Sequence, residues 1–527
     1  MQLVFDALAG AAALVALIIA YRRHKSAEFV AARNRVEAQL EHARLYHEPF
    51  AAAAAQIGDE TAAARLAGVR AMAGLADDWP EHRQACVDVL CAYLRTPCSP
   101  APVLDLSPGD RPRRDAAREV RDTVFGIITA HLRPSAEVSW RNLNLDFTGV
   151  VFDRGDFSGV GFSGGQVSFG GAKFPSGQVS FAGAEFSGGG VSFAGAELSG
   201  AEVSFAGAEF SGGQVEFRRA RFSGGQLSFD DARFSGGEVS FAGAEFSGAE
   251  VSFARAGFSA GQVEFRRARF SGSEVGFRGA RFSGGEISFG RTQSGDVGAG
   301  LGYAGFSGSE FSGGDISFSD AEFAGSLVGF GGAEFSAGKV SFADATFARG
   351  EISYRGARFS GGEISFGFAR FSGGQLSFND AEFSGGRVDF RSARFSGTRV
   401  SFILSRFNGS QVGFRLAKFS GGEASFNGAK FTGGPVDFGN ARFSGGLVDF
   451  FAAEFSGGLV GFDGAHFTSE VSFLLAKFSG GEVDFSKVAD WSYRPQFDGG
   501  GLQPSGVRLP GGSDASELCR GPSRAGA

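Results

Sequence analysis

The chain has little of what marks most catalytic or disulfide-stapled proteins. In 527 residues, methionine occurs twice, tryptophan three times and cysteine four times, at Cys86, Cys91, Cys98 and Cys519. Three of the cysteines fall early and none lies in the long glycine- and phenylalanine-rich part, so no disulfide framework is laid out and a reducing compartment fits better. His24, His42, His47, His82, His131 and His466 form no HExxH and no Ser/His/Asp arrangement at an informative spacing. Gly-x-Gly-x-x-Gly strings arise by composition in so glycine-rich a chain, and none opens a helix after a strand as phosphate binding requires. His82, Cys86, Cys91 and Cys98 lack the spacing of a zinc motif, and Cys86 falls on the apolar stripe of a predicted helix, where a free cysteine packs as a small hydrophobe. The sequence thus argues for no catalytic site, no cofactor and no metal. An excess of one charge is also missing. The formal net charge is −7, from 50 Lys and Arg against 57 Asp and Glu, and the two signs are interspersed. That pattern favours neither a broad basic face for nucleic acid nor a uniformly acidic surface.

One long hydrophobic run is present. Leu3 to Tyr21 reads LVFDALAGAAALVALIIAY, with Asp6 near its outer end. Its length is close to the ~20 residues that a membrane-spanning helix needs. Arg22, Arg23, His24 and Lys25 follow at once, and no Lys or Arg precedes the run. The positive-inside rule predicts a single-pass anchor over residues 1–25, with the N-terminus outside and the bulk of the chain cytoplasmic. A cleavable signal peptide would want a basic segment first and small residues at the cut, and neither is clear.

Residues 26–134 predict a small α-helical head. Phe29, Val36, Leu40 and Ala43 suit an amphipathic helix that Pro49 ends, and Asp59 suits the N-cap of a second helix carrying Leu66, Val69 and Ala73. Trp79-Pro80 breaks the chain before a third helix, Glu81 to Arg95, with Cys86, Val89, Leu90 and Tyr93 on one stripe. A proline-rich loop then leads to a fourth helix with Val120, Val124, Ile127, Ile128 and Leu132 inward.

What the chain has in excess is glycine, 85 residues, and phenylalanine, 61. Phe147, Phe152, Phe157 and Phe162 recur every five residues, with Leu145, Val150 and Val160 two positions before three of them. From Phe169 the steps alternate between five and seven: Phe169, Phe174, Phe181, Phe186, Phe193, Leu198, Phe205, Phe210. The resulting twelve-residue unit, V-S-F-x-x-A-x-F-S-G-G-x, runs to Phe485 and includes Phe378, Phe383, Phe390 and Phe395. Two irregularities interrupt it. Ser294 and Leu301 occupy phenylalanine positions between Phe289 and Phe306, and one residue is missing between Phe467 and Phe473. Both predict local loosening of one coil.

Residues two apart share a side of an extended segment, so Val with Phe and Ala with Phe point inward while the residue between them faces out. A segment with one inward pair cannot hide its own apolar face, but a coil stacked upon it can. Four sides per coil make two units, about 24 residues. The array then forms roughly 14 coils, a rod near 70 Å long at ~4.8 Å per coil.

The start of the array, L-D-F-T-G-V-V-F-D-R-G-D-F-S-G-V-G-F, resembles a pentapeptide-repeat protein. The resemblance implies a right-handed quadrilateral β-helix over residues 139–485. RLAGVRAMAGLADDWPEHRQACVDVLCAYLR and EVRDTVFGIITAHLR are similar to the helical head that precedes such arrays in bacterial membrane-anchored members. The seven-residue step departs from the family pattern and implies wider corners on alternate sides. Members often dimerise through the C-terminal coil, which implies a possible homodimer.

The ends of a Phe column need covers. The helix of Val120 to Leu132 is expected to cap the first coil, and residues 486–497, with Trp491, Tyr493 and Phe497, the last. Residues 498–527, rich in Gly, Ser and Pro, read as a disordered tail. On the surface, a 24-residue coil would align Arg370, Arg394, Lys418 and Arg442 in one basic stripe that attracts anions, unless Asp380, Asp389 and Asp437 neutralise it. The function that follows is a non-catalytic, membrane-tethered scaffold for an unknown protein partner. The alternative, implied by soluble members that resemble duplex DNA and protect topoisomerase, is gyrase binding. Arg218, Arg219, Arg266 and Arg267 interrupt the negative surface it needs. An enzyme is the weakest alternative.

Overall fold

The computed structural model describes residues 20–28, 33, 46–96, 110–290, 293–294, 303–325, 327–493, 495–498 and 504–511. Arg22, Arg23 and Lys25 lie exposed on helical residues 20–28. Residues 1–19 of the expected anchor, and the stripe of Phe29, Val36, Leu40 and Ala43, lie outside the described residues. Among the described residues no helix is long and apolar enough to cross a membrane.

The N-terminal part is helical, as its periodicity predicts, with corrections at the helix ends. Pro49 ends nothing: residues 46–57, here α1, are helical around it. A proline removes one backbone bond, and the alanine-rich run after it has the propensity to carry the helix on. Helix α2, Ala62–Asp78, is capped by Thr61, whose hydroxyl accepts from the Ala64 N–H at 3.4 Å. Asp59 acts one step earlier, accepting from the Thr61 N–H at 2.7 Å and its hydroxyl at 2.8 Å. Helix α3, Arg83–Arg95, buries Cys86, Val87, Leu90, Cys91 and Leu94, while Val89 and Tyr93 are half-exposed. Helix α4, Asp110–Leu132, buries Val120, Val124, Ile128 and Leu132, with Ile127 half-exposed. The chain divides into two compact units, and the division falls inside α4, after Val124.

From Leu145 onward the chain is a parallel β-solenoid of about 14 turns. Four short extended segments make one turn. In one of them, Arg370–Ser372 and Gln375–Ser377 belong to one sheet, and Glu382–Asp389 supplies both segments of the other. Register is 24 residues over most of the array: Phe371 pairs with Phe395, Leu376 with Val400, and Phe383 with Phe407.

Val, Ala and both Phe of each unit point inward because the residue between them must face water. The rings form four columns. In one, Phe330, Tyr354, Phe378, Phe402 and Phe426 stack at 4.7, 4.7, 4.8 and 4.9 Å between centroids, within 4° of parallel. The column of Phe366, Phe390 and Phe414 meets it edge to face: Phe378 and Phe390 lie 6.0 Å apart at 90°. Phe147, Phe152, Phe157, Phe162, Phe169, Phe174, Phe181, Phe186, Phe193, Phe205, Phe378, Phe383, Phe390 and Phe395 are all buried. Burying one such side chain is worth about 1.5–3 kcal/mol of transfer free energy, to which well-packed ring pairs add about 0.5–1.5 kcal/mol. The ordering of each coil opposes both.

Two kinds of corner alternate. After the first Phe of a unit the chain makes a tight turn, with the Ala369 N–H donating to the Phe366 carbonyl at 3.1 Å and a positive φ at the residue between, as in a type II turn. The Ser-Gly-Gly corner is wider and accounts for the two extra residues of the seven-step. At Gly374, φ +77°, its second glycine is required: a Cβ would lie 2.0 Å from the Gly350 carbonyl oxygen of the adjoining coil, whereas Ala201, Ala249, Ser273, Thr398 and Ser410 fill that position in coils where φ is not positive.

Three of the four columns pass both irregularities unbroken, and the fourth has Ser294 in place of a ring between Phe270 and Phe323. Across the first, Phe289 sits 4.7 Å from Phe318 and Phe282 4.8 Å from Phe311, although the register lengthens by five residues between Ser294 and Tyr303. Ser294 takes the backbone register of a phenylalanine, opposite Phe270. At the second, Phe450 and Phe473 remain 4.6 Å apart, and the missing residue is taken from a wide corner.

The ends are covered largely as expected. Phe125 of α4 packs on Phe157 at 4.6 Å and Phe152 at 5.6 Å. At the other end Trp491 meets Phe485 edge-on at 5.2 Å and Phe497 stacks on Phe473 at 5.0 Å. Tyr493, expected in this cover, is 57 % exposed instead. The expected disordered tail also begins too early, because Val507–Arg508 pairs with Val483 and Asp484. An inward Val two residues after a turn makes the same edge-satisfying pairing here as throughout the array.

Tyr354 is the one tyrosine in these columns, and its buried hydroxyl has no hydrogen-bond partner, which also drives its pKa well above the ordinary value. Tyr354→Phe is expected to stabilise the solenoid by about 1–3 kcal/mol, read as a rise in the urea midpoint. Phe378→Asp places an unpaired charge in a fully buried column and is expected to destabilise by several kcal/mol, read by thermal melting; an unchanged melt would contradict the inward placement.

Candidate functional site

One ladder of outward residues runs nearly the length of one sheet. It occupies the position before the second Phe of alternate units, and the parallel register stacks its members coil upon coil. In order they are Lys173, Glu197, Arg221, Glu245, Arg269, Gln293, Glu322, Thr346, Arg370, Arg394, Lys418, Arg442 and His466.

The first half alternates in sign and is zipped by ion pairs. Lys173 reaches Glu197 at 3.5 Å, Arg221 reaches Glu197 and Glu245 at 3.7 Å each, and Arg269 reaches Glu245 at 3.4 Å. The second half abandons alternation. Arg370, Arg394, Lys418 and Arg442 stand directly opposite one another on successive coils, about 4.8 Å apart along the axis, all exposed. None of the four has a carboxylate within 4.0 Å among the described residues. Like charges directly opposite destabilise a sheet. The same backbone site holds an alternating pattern a few coils earlier, so the fold does not dictate the repulsion.

The acids expected to neutralise this stripe are engaged elsewhere. Asp389 pairs with Arg387 at 2.9 Å, Asp380 with Arg355 at 3.6 Å, and Asp437 accepts from the Gly439 N–H at 2.7 Å. The basic stripe of four is therefore brought together as its spacing predicts.

The neighbouring tight corner carries residues that the sequence reading passed over. Its third position is filled, coil by coil, by Asp320, Asp344, Phe368, Ser392, Leu416, Asn440 and Gly464, all with positive φ. Asp, Asn and Gly tolerate that backbone; a bulky or branched side chain there costs on the order of 1–2 kcal/mol. Phe368 at φ 59° and Leu416 at φ 62° nevertheless occupy it, 57 % and 48 % exposed. They gain little burial to offset the strain. With Asp344 at one end, Ser392, Asn440 and the four cations, they line an open groove of about 400 Å³. Arg391 and Arg415, one position earlier on the same corner, are exposed and add two more cations. The departure could have been found by aligning the units: an apolar residue two after the first Phe stands out against Gly and Asp.

Elsewhere among the described residues like charges stand opposite one another only two at a time, as Glu185 with Glu209, Glu250 with Glu274, Glu310 with Glu334 and Arg406 with Lys430. A larger open groove of about 770 Å³ follows a wide glycine corner past Leu327, Arg349, Glu351, Gln375, Arg399 and Glu423, and there Arg399 and Glu423 pair at 3.3 Å.

No family model, no curated protein and no solved structure matches the chain. What the site can do follows from its own chemistry: a row of point charges and planar guanidinium groups, with two apolar protrusions alongside, attracts an anionic surface that also accepts apolar side chains.

In the helical region, Cys86 and Cys91 are buried and outside any disulfide, and Tyr46 joins the Cys86 thiol at 3.7 Å and stacks on the His82 ring at 4.0 Å. Burial pushes the Cys86 thiol pKa up, away from the thiolate a metal would want. Among the described residues no group of His, Cys, Asp and Glu is placed to hold a metal; Cys98 lies outside them.

Because the stripe repels itself, Lys418→Glu should restore an alternating pattern with Arg394 and Arg442. It is expected to stabilise by about 0.2–1 kcal/mol at low ionic strength, with the gain in melting temperature vanishing at high salt.

Proposed function

We propose that the chain is a non-catalytic, membrane-tethered interaction rod: a right-handed, four-sided pentapeptide-repeat β-helix that presents stacked rows of side chains to a partner. The observation that carries this proposal is the solenoid's division of labour. Its interior is filled by phenylalanine, valine and alanine, and its polar residues are laid out on the surface as ladders with a fixed coil-to-coil register. Solenoids of this kind commonly act through such extended surfaces. The resemblance of the first array residues to pentapeptide repeats supports the right-handed, four-sided form, as do the four extended segments per turn.

The tether rests on Leu3 to Tyr21 and the basic flank of Arg22, Arg23 and Lys25. It would hold the rod at the cytoplasmic face. Gyrase protection has less behind it, because a mimic of DNA needs a continuous negative surface, and this rod alternates signs before turning positive over four coils. A homodimer through the last coil remains an implication of the resemblance alone.

Deleting residues 1–25 is expected to move the protein from a carbonate-resistant membrane fraction to the supernatant without altering its melting temperature. Retention in the membrane fraction would remove the tether. In parallel, the full-length chain is expected to leave DNA gyrase supercoiling unaffected at equimolar ratio; inhibition would favour the DNA-mimic alternative.

A further inference from the structure

The four-cation ladder joins a run of four directly opposed like charges to two strained, exposed apolar residues on the adjoining corner; a shorter version, Arg406 opposite Lys430 beside exposed Leu404, lies on the other sheet. The charge alternation used earlier on the same ladder is given up. On the adjoining corner, strained and exposed Phe368 and Leu416 replace the Gly, Asp and Asn that the backbone prefers. Each departure weakens the folded chain by itself, and together they describe a surface suited to something outside it.

The spacing narrows the choice of what that is. The cations recur about every 4.8 Å along a straight line. An extended acidic peptide presents same-face carboxylates about 6.8 Å apart, twice the residue rise, and falls out of step with the ladder within two contacts. A bilayer surface has no such constraint, because its headgroups diffuse laterally and settle at whatever spacing the cations impose. The apolar pair points the same way. Phe368 and Leu416 stand two coils apart, roughly 10 Å, with small Ser392 and polar Asn440 as the alternate members of the corner. They are separate exposed apolar side chains along an open groove lined mainly by polar and cationic residues, and not a continuous apolar groove for a partner helix. Apolar wedges beside basic residues suit the headgroup and acyl boundary of an anionic membrane.

We propose that the face bearing Arg370, Arg394, Lys418 and Arg442 docks on an anionic lipid bilayer, with Phe368 and Leu416 entering its interfacial layer. The rod then lies along the membrane. This docking concerns residues 368 to 442 and does not depend on the N-terminal tether; a tether would raise the effective concentration of the face at the membrane.

The test uses the full-length protein carrying Phe368→Trp as a reporter, with the parent chain's fluorescence subtracted for Trp79, Trp140 and Trp491. Vesicles of phosphatidylcholine with brominated acyl chains are prepared with and without phosphatidylserine, and flotation is scored alongside quenching. The expected result is quenching of the introduced tryptophan on the anionic vesicles only. Quenching should reverse at high salt and disappear when Arg394→Glu and Lys418→Glu are added. Each cation neutralised singly should lower the apparent affinity of the quenched state by about fivefold. Equal quenching on neutral vesicles, or none on either, overturns the proposal. Charge-sensitive binding of a glutamate-rich peptide without lipid quenching also overturns it, in favour of a protein partner. Flotation with both vesicle types but no quenching leaves a tether without a docking face. Quenching on anionic vesicles by a chain that fails to float with neutral ones leaves a docking face without a tether.

Discussion

Every coil of this solenoid is the template for the next. Backbone groups within a coil are satisfied by the coils on either side, so the strand spacing, the column of rings and the row of outward side chains all inherit the same axial step. A phenylalanine that stacks well at one level stacks well at every level, and three of the four columns are unbroken, while the fourth carries Leu198 and Ser294 in place of rings. The constraint also works against the chain. A side chain at a positive-φ second glycine such as Gly374 would meet a carbonyl of the adjoining coil, which favours Ser-Gly-Gly at the wide corners that take that backbone.

Stacking converts a sequence interval into a spatial adjacency, so surface chemistry becomes one-dimensional. On most folds two arginines 24 residues apart say nothing about each other. Here Arg394 is the next neighbour of Arg370, and Lys418 the next after that. Ion pairs such as Arg233 with Glu209 at 2.6 Å and Arg358 with Glu334 at 2.5 Å show the usual solution, opposite charges one coil apart. Exposed pairs of this kind are individually weak. Their value is that they let charged residues cover the rod without accumulating repulsion; pairs such as Glu185 with Glu209 and Glu310 with Glu334 depart from that solution for one step, and the stripe from Arg370 to Arg442 departs from it for four coils.

The period made the core legible before any coordinates: a residue two positions from a buried one in a short extended segment faces the same way, and the phenylalanines named on that basis are buried. The alignment of Arg370, Arg394, Lys418 and Arg442 was legible for the same reason. Helix ends were not, because a cap is decided by one hydrogen bond. Asp59 and Thr61 are equally good cap residues in type, and only the backbone direction makes Thr61 the cap. Pro49 misled because a missing amide is tolerated where strong helix formers follow it. The tail misled because composition speaks to a segment's average, whereas Val507 needs only one open sheet edge to pair. Phe368 and Leu416 were not legible because the period marks only the inward positions and says nothing of the residue two after the first Phe, where Asp, Asn, Gly, Ser, Phe and Leu all occur.

The coil between Phe289 and Phe318 has five more residues than its neighbours, yet the rings on either side keep a 4.7 Å separation. Chain length is thus decoupled from axial rise: the register passes from 24 residues at Ser294 to 29 at Tyr303 while the flanking rings keep their separation. A solenoid with this tolerance can take up inserted sequence between two coils while its pitch stays as it was.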